Sequence, residues 1–133
     1  MNSARLVRGA MAALLASVLA TACSSDAGDA VPRGWISDTY PSSGVGWLAP
    51  ASAPAKVADT IQNHRQALDR TSGGGAQYLR YRDDMVTVSP YGSGSRIEIE
   101  SYRNGYQRHR QYLRRWPDPY SRSFRGGGPG SGK

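Results

Sequence analysis

The sequence predicts a small α+β domain in which one helix packs on an antiparallel β-meander of three to four strands. A change of hydrophobic period predicts this class. Apolar residues recur every three or four positions from Val57 to Leu68, and they alternate with polar residues from Leu79 to Ile99. The first period is that of an α-helix and the second that of a half-buried strand. Since each element has one apolar face, the faces are expected to pack together in two layers.

The predicted helix lies in the stretch "SAPAKVADTIQNHRQALDRTSGGG". Ser52 is a candidate N-cap, and Pro54 suits the first turn. The glycines at 73–75 are expected to end the helix and reverse the chain. We interpret the histidine of the apolar stripe as structural rather than as a ligand or a base. The stripe consists of Val57, Ile61, His64 and Leu68.

The predicted meander has two reversals, one at the "DD" of 83–84 and one in "PYGSGS". The period of two decides which residues share the apolar face, because successive side chains point to opposite faces. The other face is expected to be a solvated polar row, with Arg80 beside Thr87 and Thr87 beside Glu98. The predicted apolar pairs are Tyr81 with Val86, Leu79 with Val88, Val88 with Ile97, and Val86 with Ile99.

The segment before the helix has no hydrophobic period. Residues 31–54 are rich in Pro, Gly and Ser and are expected to be irregular and extended. Trp35, Tyr40 and Trp47 either dock on the domain as isolated anchors or form an aromatic binding surface.

Two structures compete after residue 101. Asn104 and Gly105 favour a hairpin that starts a short fourth strand at Tyr106. The alternative is a helical stripe of Tyr102, Tyr106, His109, Leu113 and Trp116. We favour the strand, which the prolines of "WPDPY" would end.

The first 22 residues resemble an export signal. The n-region "MNSARLVRG" is basic, and "AMAALLASVLA" is shorter than the about 20 residues needed to cross a bilayer. "LATAC" resembles the lipobox of bacterial lipoproteins, in which the cysteine, here Cys23, is diacylated and becomes the first mature residue. Ordinary secretory cleavage at "ATA" and a free thiol are the alternatives. We expect a signal peptide over 1–22, a lipidated cysteine and tether over 23–34, a domain over 35–125, and a flexible Gly-rich tail over 126–133.

No pattern in the chain predicts catalysis, a cofactor or a metal. "GGGPGSGK" fits the first seven places of a phosphate-binding loop but lacks the flanking strand and helix and the final Ser or Thr, so no nucleotide is expected. Asp83 and Asp84 are interpreted as turn residues, and Glu98 and Glu100 as part of an ion-pair row with nearby arginines. Two histidines 45 positions apart do not make a zinc site, and no G-x-S-x-G elbow occurs.

The remaining candidates are basic and aromatic. Residues 103–125 contain seven arginines and a single acid, Asp118. Arginine interleaved with tyrosine and tryptophan is typical of an interface with a protein, a phosphate-bearing polymer or a headgroup layer. The alternative is that the aromatic residues cover the sheet edge and the arginines face water. The candidate interaction surface consists of Arg103, Tyr106, Arg108, Arg110, Tyr112, Arg114, Arg115 and Trp116.

The stretches "LRYRDDMVTVSPYGSGSRIEIE", "YRNGY" and "SFRGGGPGSGK" resemble an uncharacterised family of small lipoproteins from actinobacteria and other Gram-positive bacteria, classed as a domain of unknown function. The likeness runs from about Trp35 to Lys133. It implies a place on the outer leaflet of a single-membrane cell, beside small multi-spanning membrane proteins. It assigns no activity and no catalytic residue.

Two functions are therefore expected. The first is a non-enzymatic accessory module for a membrane-protein partner, anchored through Cys23 on the extracytoplasmic face of the cell membrane. The second is a binder of anionic envelope polymer or lipid headgroups through the same arginines and Lys133. Export argues against nucleic acid as a ligand, and no enzymatic activity is expected.

Overall fold

The computed structural model describes residues 29–124. Its helices are α1 (Arg33–Thr39), α2 (Pro54–His64) and α3 (Tyr102–His109). Its strands are β1 (Ser42–Ser43), β2 (Gly46–Ala49), β3 (Asp69–Gly73), β4 (Ala76–Arg80), β5 (Asp84–Tyr91) and β6 (Gly94–Ser101). The strands form an antiparallel sheet in the order β1-β2-β6-β5-β4-β3.

The predicted α+β class is confirmed, but the predicted three to four strands are too few. The described residues form six strands, because β1, β2 and β3 are short or polar and carry no recognisable apolar alternation. Within residues 29–124, each helix falls short of the length and apolar character that a bilayer crossing requires.

The predicted contact between a helix and an apolar sheet face is confirmed. Val57 and Ile61 of α2 are 2% and 0% exposed. Burying an aliphatic side chain of this size contributes about 1.5–3 kcal/mol, so these contacts hold α2 on the sheet. The strand residues in the same buried cluster include Leu79, Val86, Val88 and Ile97.

The predicted register is correct for one hairpin and wrong for the other. Val88 pairs with Ile97 and Val86 with Ile99, as predicted for β5 and β6. Between β4 and β5, however, Leu79 pairs with Val86 rather than with Val88. The observed pairing is therefore shifted by two residues.

The connection between β4 and β5 accounts for this shift. The turn lies one residue earlier than predicted, because the Tyr81 N–H donates to the Asp84 carbonyl at 2.9 Å and leaves residues 82–83 between this pair. Moving a two-residue turn by one position shifts the register of the two strands by two. A shift by an even number of residues leaves every side chain on its predicted face. Arg80 consequently lies opposite Met85 and not opposite Thr87.

Helix α2 is shorter than predicted. Its N-cap is Ala53 rather than Ser52, and no side chain caps it. Because the helix ends at His64, Leu68 lies beyond it and is 49% exposed. His64 is itself exposed and stacks on Trp35, with the ring centroids 4.3 Å apart. Only the first half of the predicted stripe therefore faces the core.

The glycines at 73–75 do not end this helix but contribute to the tight turn between β3 and β4. Gly74 and Gly75 have φ values of 60° and 82°, which side chains rarely allow. The sequence of β3, "DRTSG", has no apolar alternation, so it was not predicted as a strand. Arg70 of β3 contacts Asp59 at 2.5 Å and the side-chain oxygen of Gln77 at 3.0 Å.

The N-terminal segment, predicted to be extended, contains α1 and the β1–β2 hairpin. Ile36 of α1 is fully buried, and Trp35, Tyr40 and Trp47 pack against the same cluster. These aromatic residues therefore dock on the domain, which was one of the two alternatives. Val31, within the segment expected to be a tether, is also buried.

After β6 the chain forms α3 and not the predicted fourth strand. The Ser101 side chain caps this helix by accepting a hydrogen bond from the Asn104 N–H at 3.4 Å. Gly105 lies where α3 approaches β5, and a Cβ atom there would collide with the methyl group of Met85. Asn104 thus takes part in the N-terminal cap of α3, and Gly105 allows the helix to lie close to the sheet.

Helix α3 and the turns after it cover the second face of the sheet. Burial raises the pKa of Tyr102 to about 12, and its hydroxyl donates to the Pro117 carbonyl at 2.7 Å. Thr87 pairs with Glu98 as predicted, yet it is 2% exposed, so the row expected to be solvated is covered. The sheet therefore lies between two layers instead of forming one side of a two-layer domain. The buried residues of the second layer are Ala76, Tyr78, Met85, Tyr102, Tyr106, Leu113 and Trp116.

Candidate binding surface on helix α3

The structure separates the eight candidate surface residues into two groups. Tyr106 and Trp116 are 8% and 4% exposed and belong to the second core layer. Tyr112 is 37% exposed, so it is the aromatic member of the set that remains at the surface. The exposed arginines are Arg103, Arg108, Arg110, Arg114 and Arg115.

Helical spacing and the following turns produce this separation. Tyr102 and Tyr106 lie four residues apart and share the inward face of α3. Beyond the helix, the Trp116 N–H donates to the Leu113 carbonyl at 2.9 Å, in a turn whose two apolar side chains are both buried. The residues between these inward positions are left to face solvent.

A groove of about 660 Å³ lies against the outer side of this segment. We call it the α3 groove. A smaller cavity of about 290 Å³ shares Tyr106, Gln107 and Arg110 with it and continues to Asp118 and Tyr120. The α3 groove is lined by Tyr106, Gln107, Arg108, Arg110, Gln111 and Arg114.

Sequence reasoning missed the two glutamines of this groove. Gln107 and Gln111 are four residues apart, as are Arg110 and Arg114. Residues four apart share a face on a helix and on a strand alike, so this spacing alone does not single out the glutamines in the sequence.

The arginines differ in whether they have internal partners. Arg108 lies 3.6 Å from a carboxylate oxygen of Glu100, and Arg103 lies over the ring of Tyr120 at 5.3 Å. Within residues 29–124, no carboxylate oxygen lies within 4.0 Å of the guanidinium groups of Arg110, Arg114, Arg115 and Arg122. These four exposed cations are available to an external anion.

A buried polar pair lies beneath α3. Glu100 of β6 and His109 of α3 approach to 3.6 Å, and their side chains are 13% and 19% exposed. Both Glu100 carboxylate oxygens and His109 Nε2 are buried without a hydrogen-bond partner among the described residues. Neither residue lines the α3 groove or the smaller cavity beside it. A ligand in either of these two openings would therefore not contact the Glu100–His109 pair, and we interpret the pair as structural.

The ion-pair row expected around Glu98 and Glu100 is not formed by the arginines that are close to them in sequence or register. Arg80 lies over the Tyr102 ring at 5.1 Å, and Arg96 over the Tyr91 ring at 4.1 Å. The covering helix supplies the partners of Glu100 instead, which a strand at this position would not have done.

We expect acid to weaken the fold through His109. Burial lowers the pKa of this imidazole below its ordinary value of 6.5, against the smaller opposing effect of the Glu100 carboxylate. The unfolded chain therefore takes up the proton first, so stability is present above about pH 6.5 and is lost as the pH falls towards the folded-state pKa. Thermal unfolding from pH 7.5 to 5.5 measures this slope.

His109→Gln should reduce the pH dependence, while His64→Gln serves as the matched control at an exposed position. An unchanged slope in the His109→Gln protein would contradict the assignment.

Within the described residues, no three His, Cys, Asp or Glu side chains gather where they would hold a metal ion. Cys23 and the Gly-rich tail, including Lys133, lie outside those residues, so their predicted roles stay predictions.

The fold and the surface define a small α+β protein with a sheet between two layers and a cationic outer face. The chain belongs to the family described as Domain of unknown function (DUF4247), whose model matches residues 18–133. The predicted membership of a family of unknown function is thereby confirmed. No significant match was found among curated proteins or among solved structures.

Proposed function

We propose that this protein is a lipid-anchored, non-enzymatic binding module on the extracytoplasmic face of the cell membrane. The proposed anchor is a diacylated Cys23, which follows the export-signal pattern of residues 1–22. From Cys23 to Asp29 there are six Cα–Cα steps, which span at most about 20 Å when fully extended. Such an anchor would hold the domain close to the headgroup layer.

The ligand we favour is an anionic envelope polymer or a layer of anionic headgroups. The observation that carries this choice is a set of four exposed arginines that have no carboxylate partner among residues 29–124, at positions 110, 114, 115 and 122. Near an anionic surface each basic side chain contributes about 1 kcal/mol. Four of them on one segment supply a useful attraction without a large apolar interface.

A membrane-protein partner is the second candidate. Protein interfaces depend on a few buried aromatic or arginine anchors. Tyr112 and Tyr120 are 37% and 53% exposed and suit such a contact. The burial of Tyr106 and Trp116 removes two of the three aromatic anchors on which this candidate depended.

The anchor is tested with the full-length chain in its own membranes. Wild-type protein is expected in the membrane fraction and to incorporate labelled fatty acid. Cys23→Ala should abolish labelling and move almost all of the protein out of that fraction, because two acyl chains are needed for stable anchoring. A membrane-bound, labelled Cys23→Ala protein would contradict the proposal.

Crosslinking of the same two proteins in low and high salt distinguishes the ligands. An anionic ligand should be lost as salt rises, because screening weakens contacts between exposed charges. A specific membrane protein that stays crosslinked to the wild type in high salt would support the second candidate and contradict the favoured one.

A further inference from the structure

We propose that the α3 groove is a discrete site for a phosphate ester flanked by hydroxyl groups, such as a glycerol phosphate unit. This inference rests on the proposed function, because it assigns the anionic ligand to one part of the arginine surface. It differs from a diffuse electrostatic attraction, in which every exposed arginine would contribute alike.

The charge of the groove is the first argument. Three arginines line the groove. Arg110 and Arg114 have no carboxylate oxygen within 4.0 Å among residues 29–124, whereas Arg108 lies 3.6 Å from a Glu100 carboxylate oxygen. The groove therefore carries a net positive charge. Asp118 is the carboxylate nearest along the segment, and it lines the neighbouring cavity instead.

The arrangement of the cations favours phosphate over carboxylate. Arg108, Arg110 and Arg114 line the groove from three separate positions along the chain. A single guanidinium forms two parallel hydrogen bonds with a carboxylate or with a phosphate, so one arginine alone would not distinguish the two. The oxygens of a tetrahedral phosphate accept hydrogen bonds from several directions, so one phosphate can engage donors from more than one of these arginines.

The glutamines add a requirement for neutral polar groups on the ligand. The side-chain amides of Gln107 and Gln111 each donate and accept hydrogen bonds, as hydroxyl groups do. A phosphodiester anion has no donor of its own to match the amide oxygens, whereas the hydroxyl groups beside it do. The groove is open to solvent, and its volume of about 660 Å³ exceeds what one phosphate fills.

A glycerol phosphate unit occurs both in polyol-phosphate polymers and in the phosphatidylglycerol headgroup. The chemistry recognised by the groove is the same in the two cases. The source is therefore assigned by measurement, with a soluble glycerol phosphate oligomer as one probe and phosphatidylglycerol vesicles as the other.

The experiment compares two pairs of substitutions that remove the same charge from the full-length chain. Arg110→Gln/Arg114→Gln alters the groove, and Arg115→Gln/Arg122→Gln alters exposed arginines outside its lining. Affinity for the oligomer should fall about tenfold or more in the groove pair, since charge-assisted hydrogen bonds are lost, and about threefold or less in the control pair.

A neutral variant tests the hydroxyl contacts. Gln107→Ala/Gln111→Ala should weaken binding of glycerol phosphate and leave unchanged that of dimethyl phosphate, a diester anion without hydroxyl groups. Equal weakening of both probes, or of neither, would overturn the assignment of the flanking hydroxyl groups.

The remaining outcomes separate this inference from the proposed function. Equal losses in the two arginine pairs would overturn the groove and leave a diffuse anionic contact intact. Equal affinity for polyglutamate would overturn the choice of phosphate. If wild-type protein bound neither the oligomer nor vesicles, both the groove and the favoured ligand class would fall. The predicted variant pattern with either probe supports the groove and identifies the source.

Discussion

Trp116→Ala should lower the free energy of unfolding by about 3–5 kcal/mol, the usual cost of truncating a buried tryptophan. Trp116 is 4% exposed and packs in the cluster that joins α3 to the sheet. Its ring lies 6.2 Å from that of Tyr102, measured between centroids. Chemical denaturation of wild-type and substituted protein measures the difference.

Arg115→Ala is the control for this experiment, because Arg115 is the exposed neighbour of Trp116. A surface substitution of this kind changes stability by about 0.5 kcal/mol or less. If Trp116→Ala kept wild-type stability and instead lost a binding activity, the tryptophan would be a contact residue, as the sequence alone suggested.

Gly105→Leu should also destabilise the fold, by about 1–3 kcal/mol, as overpacking of a tight contact does. A Cβ atom at Gly105 would collide with the Met85 methyl group and come within 3.2 Å of Glu100 Cγ. In an exposed helix the same change would be favourable, because glycine is the poorer helix former by about 1 kcal/mol. A loss of stability in the Gly105→Leu protein would therefore indicate that Gly105 packs closely against the sheet.

Met85→Ala supplies the control for the glycine. If the two side chains compete for the same space, the loss in unfolding free energy of the double variant Met85→Ala/Gly105→Leu should be smaller than the sum of the losses of the two single variants. Additive effects would contradict a direct collision between these positions.

The core was predictable where a hydrophobic period is long. The alternation from Met85 to Ile99 determined both the shared face and the β5–β6 register. The predicted faces of the β4 residues were also correct although the β4–β5 register was wrong, because a shift of two residues leaves each side chain on the same face of the sheet. Short elements offered no such redundancy: α1 has one buried anchor, Ile36, and β3 is polar throughout.

The second layer was not predictable from the strands themselves. Thr87, Glu98 and Glu100 are polar, and a polar strand face is normally solvated. Helix α3 packs over this face of the sheet. The sequence did not predict this helix, because the Asn104-Gly105 pair favours a hairpin. Six of the eight candidate surface residues are exposed, namely the five arginines and Tyr112, because arginines remain exposed under either interpretation. Placing Tyr106 and Trp116 required knowing which face of the helix meets the sheet.

The outermost strands of the sheet limit how another protein can join it. One border is β1, which has only two residues, and the other is β3, which is polar and ends in glycine. Short or polar border strands disfavour the addition of a further strand from another chain. Backbone augmentation is therefore a poor route to a partner here, and edge-to-edge aggregation between copies of the chain is disfavoured for the same reason.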